Sequence, residues 1–319
     1  MQNKKFFKFK PLPDSTLNWI EKIIPKKIIP YIRLSRIDRP IGTWLLLWPC
    51  WWSISLAETN KKIFDEFNLY FDTNYFFLMG IFALGAFIMR GAGCTYNDIV
   101  DKNYDAKVSR TALRPIPSGE VSLLRAYLWL IIQCIFGLII LLSLNKFSIL
   151  LGLISILLII IYPFMKRITW WPQFFLGLAF NFGALLGWSA ATNQISLTPI
   201  LLYLGGIFWT LGYDTIYALQ DIQDDALIGI KSSARLVFHK VKFFLFITYS
   251  ITIIFFVAAG YTSKTGWLFW PFIFICFLHF LWQIKSLNTK SSSDCLKKFR
   301  SNNHIGIILF FGIILGHFS

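Results

Sequence analysis

The sequence predicts an all-α, polytopic membrane protein of about nine transmembrane helices, and three observations carry that prediction. The first is composition: of 319 residues, 56% are hydrophobic and 15% are charged, with a mean hydropathy of +0.59. A soluble domain carries about 25% charged residues. The second is that the apolar residues come in blocks of roughly 17–22, long enough to cross a hydrocarbon core of ~30 Å as helices. A spanning segment must satisfy its own backbone hydrogen bonds, which selects helix. The third is that the basic residues fall almost entirely on alternate loops.

Taken in order, the expected spans are 41–59, 75–97, 121–142, 146–164, 173–191, 198–220, 241–261, 267–284 and 304–318. The last is short, and an interfacial helix from about Tyr31 leads into the first. Residues 31–319 read as a single transmembrane domain, and residues 1–30 as a basic N-terminal segment. That segment has no apolar core with a small-residue cleavage site, which excludes a signal peptide, and too little Arg and Ser for a mitochondrial transit peptide. With nine spans, all but four of the 31 Lys and Arg fall on the N-terminal side; the exceptions are Lys61, Lys62, Lys146 and Lys264. By the positive-inside rule that side is cytoplasmic. The expected setting is therefore a bacterial inner (cytoplasmic) membrane, with N-terminus and site facing the cytoplasm. The net charge of +15 is mostly this topological signal. No soluble basic face for nucleic acid is apparent, and no obligate protein partner is expected.

The five cysteines form no CxxC, and their expected role is packing. The four histidines (His239, His279, His304 and His317) are too scattered in sequence to suggest a metal site.

The acids are few and clustered. Seven of the 16 Asp and Glu fall in two segments, each at the N-terminal-side end of a span. The first holds Asn97, Asp98, Asp101 and Asp105. The second holds Asp214, Asp221, Asp224 and Asp225. At about 100° per residue, the first set covers an arc of roughly 100°, and Asp214, Asp221 and Asp225 one of about 40°. Each segment thus presents a carboxylate-lined face. Like charges at i,i+3 and i,i+4 repel unless a cation sits between them. Ionisable groups at membrane depth mark function. Mg²⁺ is commonly held by one or two carboxylates plus substrate phosphates. Two such faces suit a diphosphate bridged by Mg²⁺.

Cations follow each cluster: Lys107, Arg110 and Arg114 after the first, Lys231 and Arg235 after the second. Arg suits phosphate oxygens through its planar fork. Arg90 lies seven residues before Asn97, about two turns deeper on the same face, and needs an anionic partner there. The two acidic spans are four helices apart, which suggests two four-helix halves plus one extra helix.

At these residues the chain resembles the UbiA superfamily of intramembrane aromatic prenyltransferases. MRGAGCTYNDIVDKNYDAKVSRTALRPIPSG (89–119) meets the family's NDxxDxxxD at Asn97, Asp98, Asp101 and Asp105. GYDTIYALQDIQDDALIGIKSSA (212–234) meets its second DxxxD at Asp221 and Asp225. RLSRIDRPIGTWLLLWPCWW (33–52) and YPFMKR (162–167) add to the likeness, the latter resembling the hydroxybenzoate branch.

The resemblance implies a helical bundle around a central cavity open sideways to the lipid bilayer. It implies transfer of a polyprenyl group from polyprenyl diphosphate to the ring carbon ortho to the hydroxyl of 4-hydroxybenzoate, as in ubiquinone biosynthesis. Related acceptors are homogentisate, dihydroxynaphthoate and haem. Two Mg²⁺ ions would be held by Asn97, Asp98, Asp101, Asp105, Asp221 and Asp225, with Arg90, Lys107, Arg110, Arg114 and Lys231 on the diphosphate. Asp98 or Asp214 would act as base, and the acceptor's carboxylate would be met by Arg36, Arg39, Lys166 or Arg167, with Tyr162 donating nearby. A transporter is the rival from another class. Its acids, however, usually lie near the bilayer midplane on broken helices, whereas these sit at the ends of uninterrupted apolar runs.

Overall fold

A computed structural model of the chain describes residues 23–62, 71–108 and 111–319. Arg110 and the greater part of the N-terminal segment lie outside the described residues. Among the described residues the regular elements are all helical. They are α1 (Ile29–Leu34), α2 (Ile41–Lys62), α3 (Thr73–Asp105), α4 (Leu123–Leu142), α5 (Lys146–Ile168), α6 (Pro172–Phe180), α7 (Gly183–Thr192), α8 (Leu197–Ala218), α9 (Ile222–Leu227), α10 (Ser233–Leu236), α11 (Val241–Thr262), α12 (Phe269–Ser286) and α13 (Ser292–His317).

Helices occupy all nine expected segments, but length and apolarity by themselves qualify seven as membrane spans, counting α6–α7 as one. The two that fall short are α2 and α8. Both lie in the middle of the bundle rather than at its rim. Their Trp, Thr and Gly residues meet protein, so neither needs a lipid-facing aliphatic stripe. Trp52 and Trp209 are fully buried, with ring centroids 5.2 Å apart. α8 packs chiefly on α11 and α6, and α2 on α7 and α13. α4 and α5 are the converse: long rows of Leu and Ile, such as Leu128, Ile135, Ile139, Leu153 and Leu157, are exposed, as a lipid-facing surface requires.

Close helix approach at the centre rests on small residues. A Cβ at Gly187 would sit 2.7 Å from the backbone oxygen of Cys50. One at Gly206 would overlap the side chain of Asn181. Asn181 marks the break between α6 and α7. Its Nδ2 donates to Gly177 O at 2.9 Å and to Thr210 Oγ1 at 2.8 Å. Side-chain partners of this kind make a helix interruption tolerable at membrane depth.

Indole N–H groups tie the last helix to the centre. Trp48 Nε1 donates to Asn303 Oδ1, Trp52 Nε1 to Gly306 O and Trp209 Nε1 to Asn302 Oδ1, at 2.9, 3.0 and 2.9 Å. The short span expected at 304–318 is thus the second half of a 26-residue helix that starts at Ser292. Its polar first turns hide from a hydropathy reading, because they face protein and the membrane surface.

Two cavities that meet

α3 runs unbroken through the first acidic segment, so Asn97, Asp98, Asp101 and Asp105 do share one helical face. Three carboxylates then sit at the negative end of a helix dipole, where only cations stabilise them. The structure supplies those cations. Arg36 Nη2 donates to both oxygens of Asp98, at 2.7 and 2.8 Å, and Arg114 Nη1 to Asp98 Oδ1 at 3.1 Å and Asp105 Oδ2 at 2.7 Å. Lys166 Nζ pairs with Asp101 Oδ2, and Arg167 Nη2 reaches Asp101 Oδ1 at 3.2 Å. Asp98 and Asp101 are fully buried.

The second segment departs from its expected form. α8 ends at Ala218, Leu219–Asp221 is a tighter turn, and α9 then carries Asp224 and Asp225. Asp214, Asp221 and Asp225 therefore do not share one continuous helical face. The break turns Asp221 and Asp225 toward α3 instead. The chain beyond is pinned: Gly229 takes the left-handed conformation (φ +76°), Lys231 N donates to Lys166 O at 2.9 Å, and Ser233 N donates to Gln173 Oε1 at 3.0 Å.

The result is a polar cavity of about 180 Å³ lined by both motifs: Asn97, Asp101 and Asp105 from one, Asp214, Asp221 and Asp225 from the other. Arg114, Tyr162, Lys166 and Lys231 also line it. A second cavity of about 940 Å³ runs between α2, α3, α4, α5 and α13 and is mostly apolar. Asn97, Arg114, Tyr162, Asp214 and Tyr217 line both, so the acidic pocket opens at the head of the greasy one.

Among the described residues, no three Asp, Glu, His or Cys side chains converge as a ready-made metal cage. The donors are hard oxygens on two facing walls, which suits Mg²⁺ completed by substrate phosphates better than a cation enclosed by protein alone.

Of the other expected residues, Arg90 lines the large cavity, with its guanidinium 5.2 Å over the Phe180 ring and close enough to Asp214 to act on it electrostatically. A Cβ at Gly42 would meet Arg90 Nε at 2.4 Å, so glycine there makes room for it. Lys107 is exposed and lines neither cavity. Lys231 Nζ donates to Ile168 O at 3.0 Å. Arg36 and Arg39 line the large cavity. Arg36, at φ +57°, is committed to Asp98, and Arg39 Nε lies 3.2 Å from Asp38 Oδ2. Arg167 lines neither cavity: it donates to Val100 O and Asp101 and lies over the Tyr104 and Phe164 rings.

The extended α13 also brings Arg300, Asn303 and His304 to the large cavity, a placement the sequence alone does not show. His279 and His304, far apart in sequence, have ring centroids 5.8 Å apart.

Residues 46–312 match the UbiA prenyltransferase family. The chain belongs to that family. It is 43% identical over 300 residues to a mitochondrial 4-hydroxybenzoate polyprenyltransferase of Arabidopsis thaliana, covering 94% of this chain and 71% of that one. It is 47% identical over 288 residues to the mitochondrial protein of the same name from Drosophila melanogaster, covering 90% and 71%. These relatives are named as mitochondrial enzymes, which overturns the expectation of a bacterial cytoplasmic membrane.

The fold matches a ligand-free UbiA homologue from Aeropyrum pernix K1 (TM-score 0.69, 22% identity, 85% of this chain and 97% of that one). It also matches one from Archaeoglobus fulgidus bound to GPP and Mg²⁺ (TM-score 0.64, 17% identity, 90% and 99%).

Proposed function

We propose that this UbiA-family enzyme transfers a polyprenyl group from polyprenyl diphosphate to the ring carbon of 4-hydroxybenzoate ortho to its hydroxyl, releasing diphosphate. The observation that carries this reading is the junction of the two cavities. An acidic pocket sized for a metal–diphosphate head opens into an apolar channel sized for a polyprenyl tail, with a carboxylate, Asp214, at the junction. The relatives named 4-hydroxybenzoate polyprenyltransferase supply the acceptor.

In this reading Asn97, Asp101, Asp105, Asp221 and Asp225 hold Mg²⁺, and Asp98, buried between Arg36 and Arg114, holds the end of α3 in place. Bound Mg²⁺ would neutralise the leaving diphosphate as a Lewis acid. Arg114, Lys166 and Lys231 line the same pocket and add direct cationic contacts to phosphate oxygens. The allylic C–O bond breaks with its electron pair leaving on diphosphate. A C–C bond forms at the ring carbon ortho to the hydroxyl, and loss of that carbon's proton restores the aromatic ring. Asp214 takes the phenol proton and raises the ring's nucleophilicity. The apolar wall keeps water from the reacting carbon, and its aromatic rings favour a passing cation.

The test is an acceptor comparison. Membranes containing the protein, Mg²⁺ and polyprenyl diphosphate are offered 4-hydroxybenzoate, homogentisate, dihydroxynaphthoate and haem separately, with products read by mass spectrometry. Prenylated 4-hydroxybenzoate as the sole product is expected. Product from another acceptor and none from 4-hydroxybenzoate would overturn the reading.

A further inference from the structure

Along α3 the large cavity is lined by Ile81, Gly85, Met89, Gly93 and Asn97, a slowly winding stripe with about one residue per turn. Asn97 lines the acidic pocket as well. The stripe therefore measures the depth open to a tail whose diphosphate sits in that pocket. At about 1.5 Å per residue, Ile81 lies about 24 Å from Asn97, and Met89 stands halfway, at about 12 Å.

The lining changes character at Met89. Arg90, Tyr96, Tyr162, Asp214 and Tyr217 border the cavity on the side of the acidic pocket. Beyond Met89 come Ile81, Phe82, Leu141, Leu144 and Leu186. The hydroxyl that borders this greasy half, Ser155 Oγ, is already spent on Gly152 O at 2.6 Å. A deep compartment without a free polar group suits an apolar chain and repels a charged head.

The two halves join where Met89 meets α4. Cys134, Gly137, Leu138 and Leu141, spaced three and four apart, turn one face of α4 to the cavity. A Cβ on Gly137 would overlap Met89 Sδ, so the missing methyl is what seats the thioether against the wall. Methionine is unbranched and turns freely about its side-chain bonds, which lets it lie flat or swing into the passage.

We propose that Met89, seated against Gly137, is the gate past which a long polyprenyl tail runs, and so the residue on which acceptance of long tails depends. The inference rests on the prenyl-transfer reading given above. A geranyl chain, only two isoprene units, ends short of Met89. A solanesyl chain must pass it to reach the apolar compartment.

The test uses the full chain in membranes with Mg²⁺ and 4-hydroxybenzoate. The ratio of kcat/KM for solanesyl diphosphate to that for geranyl diphosphate is measured in wild type, Met89→Trp, Gly137→Ala and Gly137→Ala with Met89→Ala. An indole in place of the thioether blocks the passage, and Met89→Trp lowers the ratio about tenfold or more, because each methylene kept out of the deep compartment forfeits its burial. Gly137→Ala turns the Met89 thioether into the passage and lowers the ratio in the same direction. Removing that thioether as well brings the ratio back to within about twofold of wild type. A role in packing alone gives no such recovery. Equal losses on both diphosphates, an unchanged ratio in Met89→Trp, or no recovery in the double variant overturns the inference. Should Met89→Trp fail to fold, Gly137→Ala and its double variant, which add or remove small groups, carry the same comparison. A wild type that prenylates 4-hydroxybenzoate with neither diphosphate removes the reading beneath; an active wild type whose ratio the variants leave unmoved removes this inference alone.

Discussion

Arg36 Nη2 donates to both carboxylate oxygens of Asp98 from a backbone held at φ +57°, and neither side chain has appreciable contact with solvent. The pair joins the α1–α2 connection to the acidic end of α3. Ser35, its neighbour, accepts hydrogen bonds from Trp129 Nε1 at 2.8 Å and Gln133 Nε2 at 3.0 Å, which adds α4 to the same joint. The first motif is thus held from behind while its other carboxylates face the pocket.

Breaking a buried ion pair from one side leaves an uncompensated charge, at a cost of about 3–5 kcal/mol. Arg36→Met still leaves Arg114 on Asp98, so a loss of stability of up to about that size is expected, read as a lower thermal midpoint of the detergent-purified protein. Arg36→Met with Asp98→Asn recovers part of the loss, and thermal unfolding of the three variants checks it.

Asp214 at the cavity junction is assigned the proton transfer. Asp214→Asn is expected to lower kcat by about 10²–10⁴-fold, with little change in KM for polyprenyl diphosphate. Steady-state kinetics in both substrates separates this from a lost metal ligand, which would move the diphosphate KM.

In the proposed reading the large cavity takes the tail, so narrowing it should select against length. A Cβ at Gly93, which lines that cavity, meets nothing within 4 Å. Gly93→Leu is expected to lower kcat/KM for a long polyprenyl diphosphate about tenfold more than for geranyl diphosphate. The ordering follows because a methylene barred from its apolar site forfeits about 0.8 kcal/mol.

Two glycines of α7 and α3 give opposite stability outcomes. Gly187→Ala places a methyl 2.7 Å from the Cys50 carbonyl, a backbone atom that cannot turn aside. A loss of about 1–3 kcal/mol is expected. Gly80→Ala meets nothing within 4 Å in the interior of α3 and is expected to gain up to about 1 kcal/mol. Unfolding midpoints measured side by side check both.

The apolar blocks made the helices legible, and the spacing of acids made the pocket legible from both sides. Asn97, Asp101, Asp105, Asp221 and Asp225 all reach one cavity, although nothing in the sequence showed that α8 stops at Ala218 to turn the second pair inward. The same reading could not see which cation goes with which acid. The YPFMKR motif lies apart from the acids in sequence, and only the fold shows that the end of α5 lays Lys166 and Arg167 against Asp101. The start of α13 was missed for a related reason. Its turns carry Lys298, Arg300 and Asn302, which read as a loop until Trp48, Trp52 and Trp209 bind that helix to the core.

The most direct test of the central claim measures transfer of labelled 4-hydroxybenzoate into an apolar product by membranes supplied with polyprenyl diphosphate and Mg²⁺. Wild type, Asp101→Asn and Asp221→Asn are compared, each with and without EDTA. The account predicts product from wild type with Mg²⁺, and loss of at least about 10²-fold with EDTA or with either variant, because the two carboxylates act from opposite walls on one metal–diphosphate head. Full activity in Asp221→Asn with Asp101→Asn inactive, or product unaffected by EDTA, would contradict it.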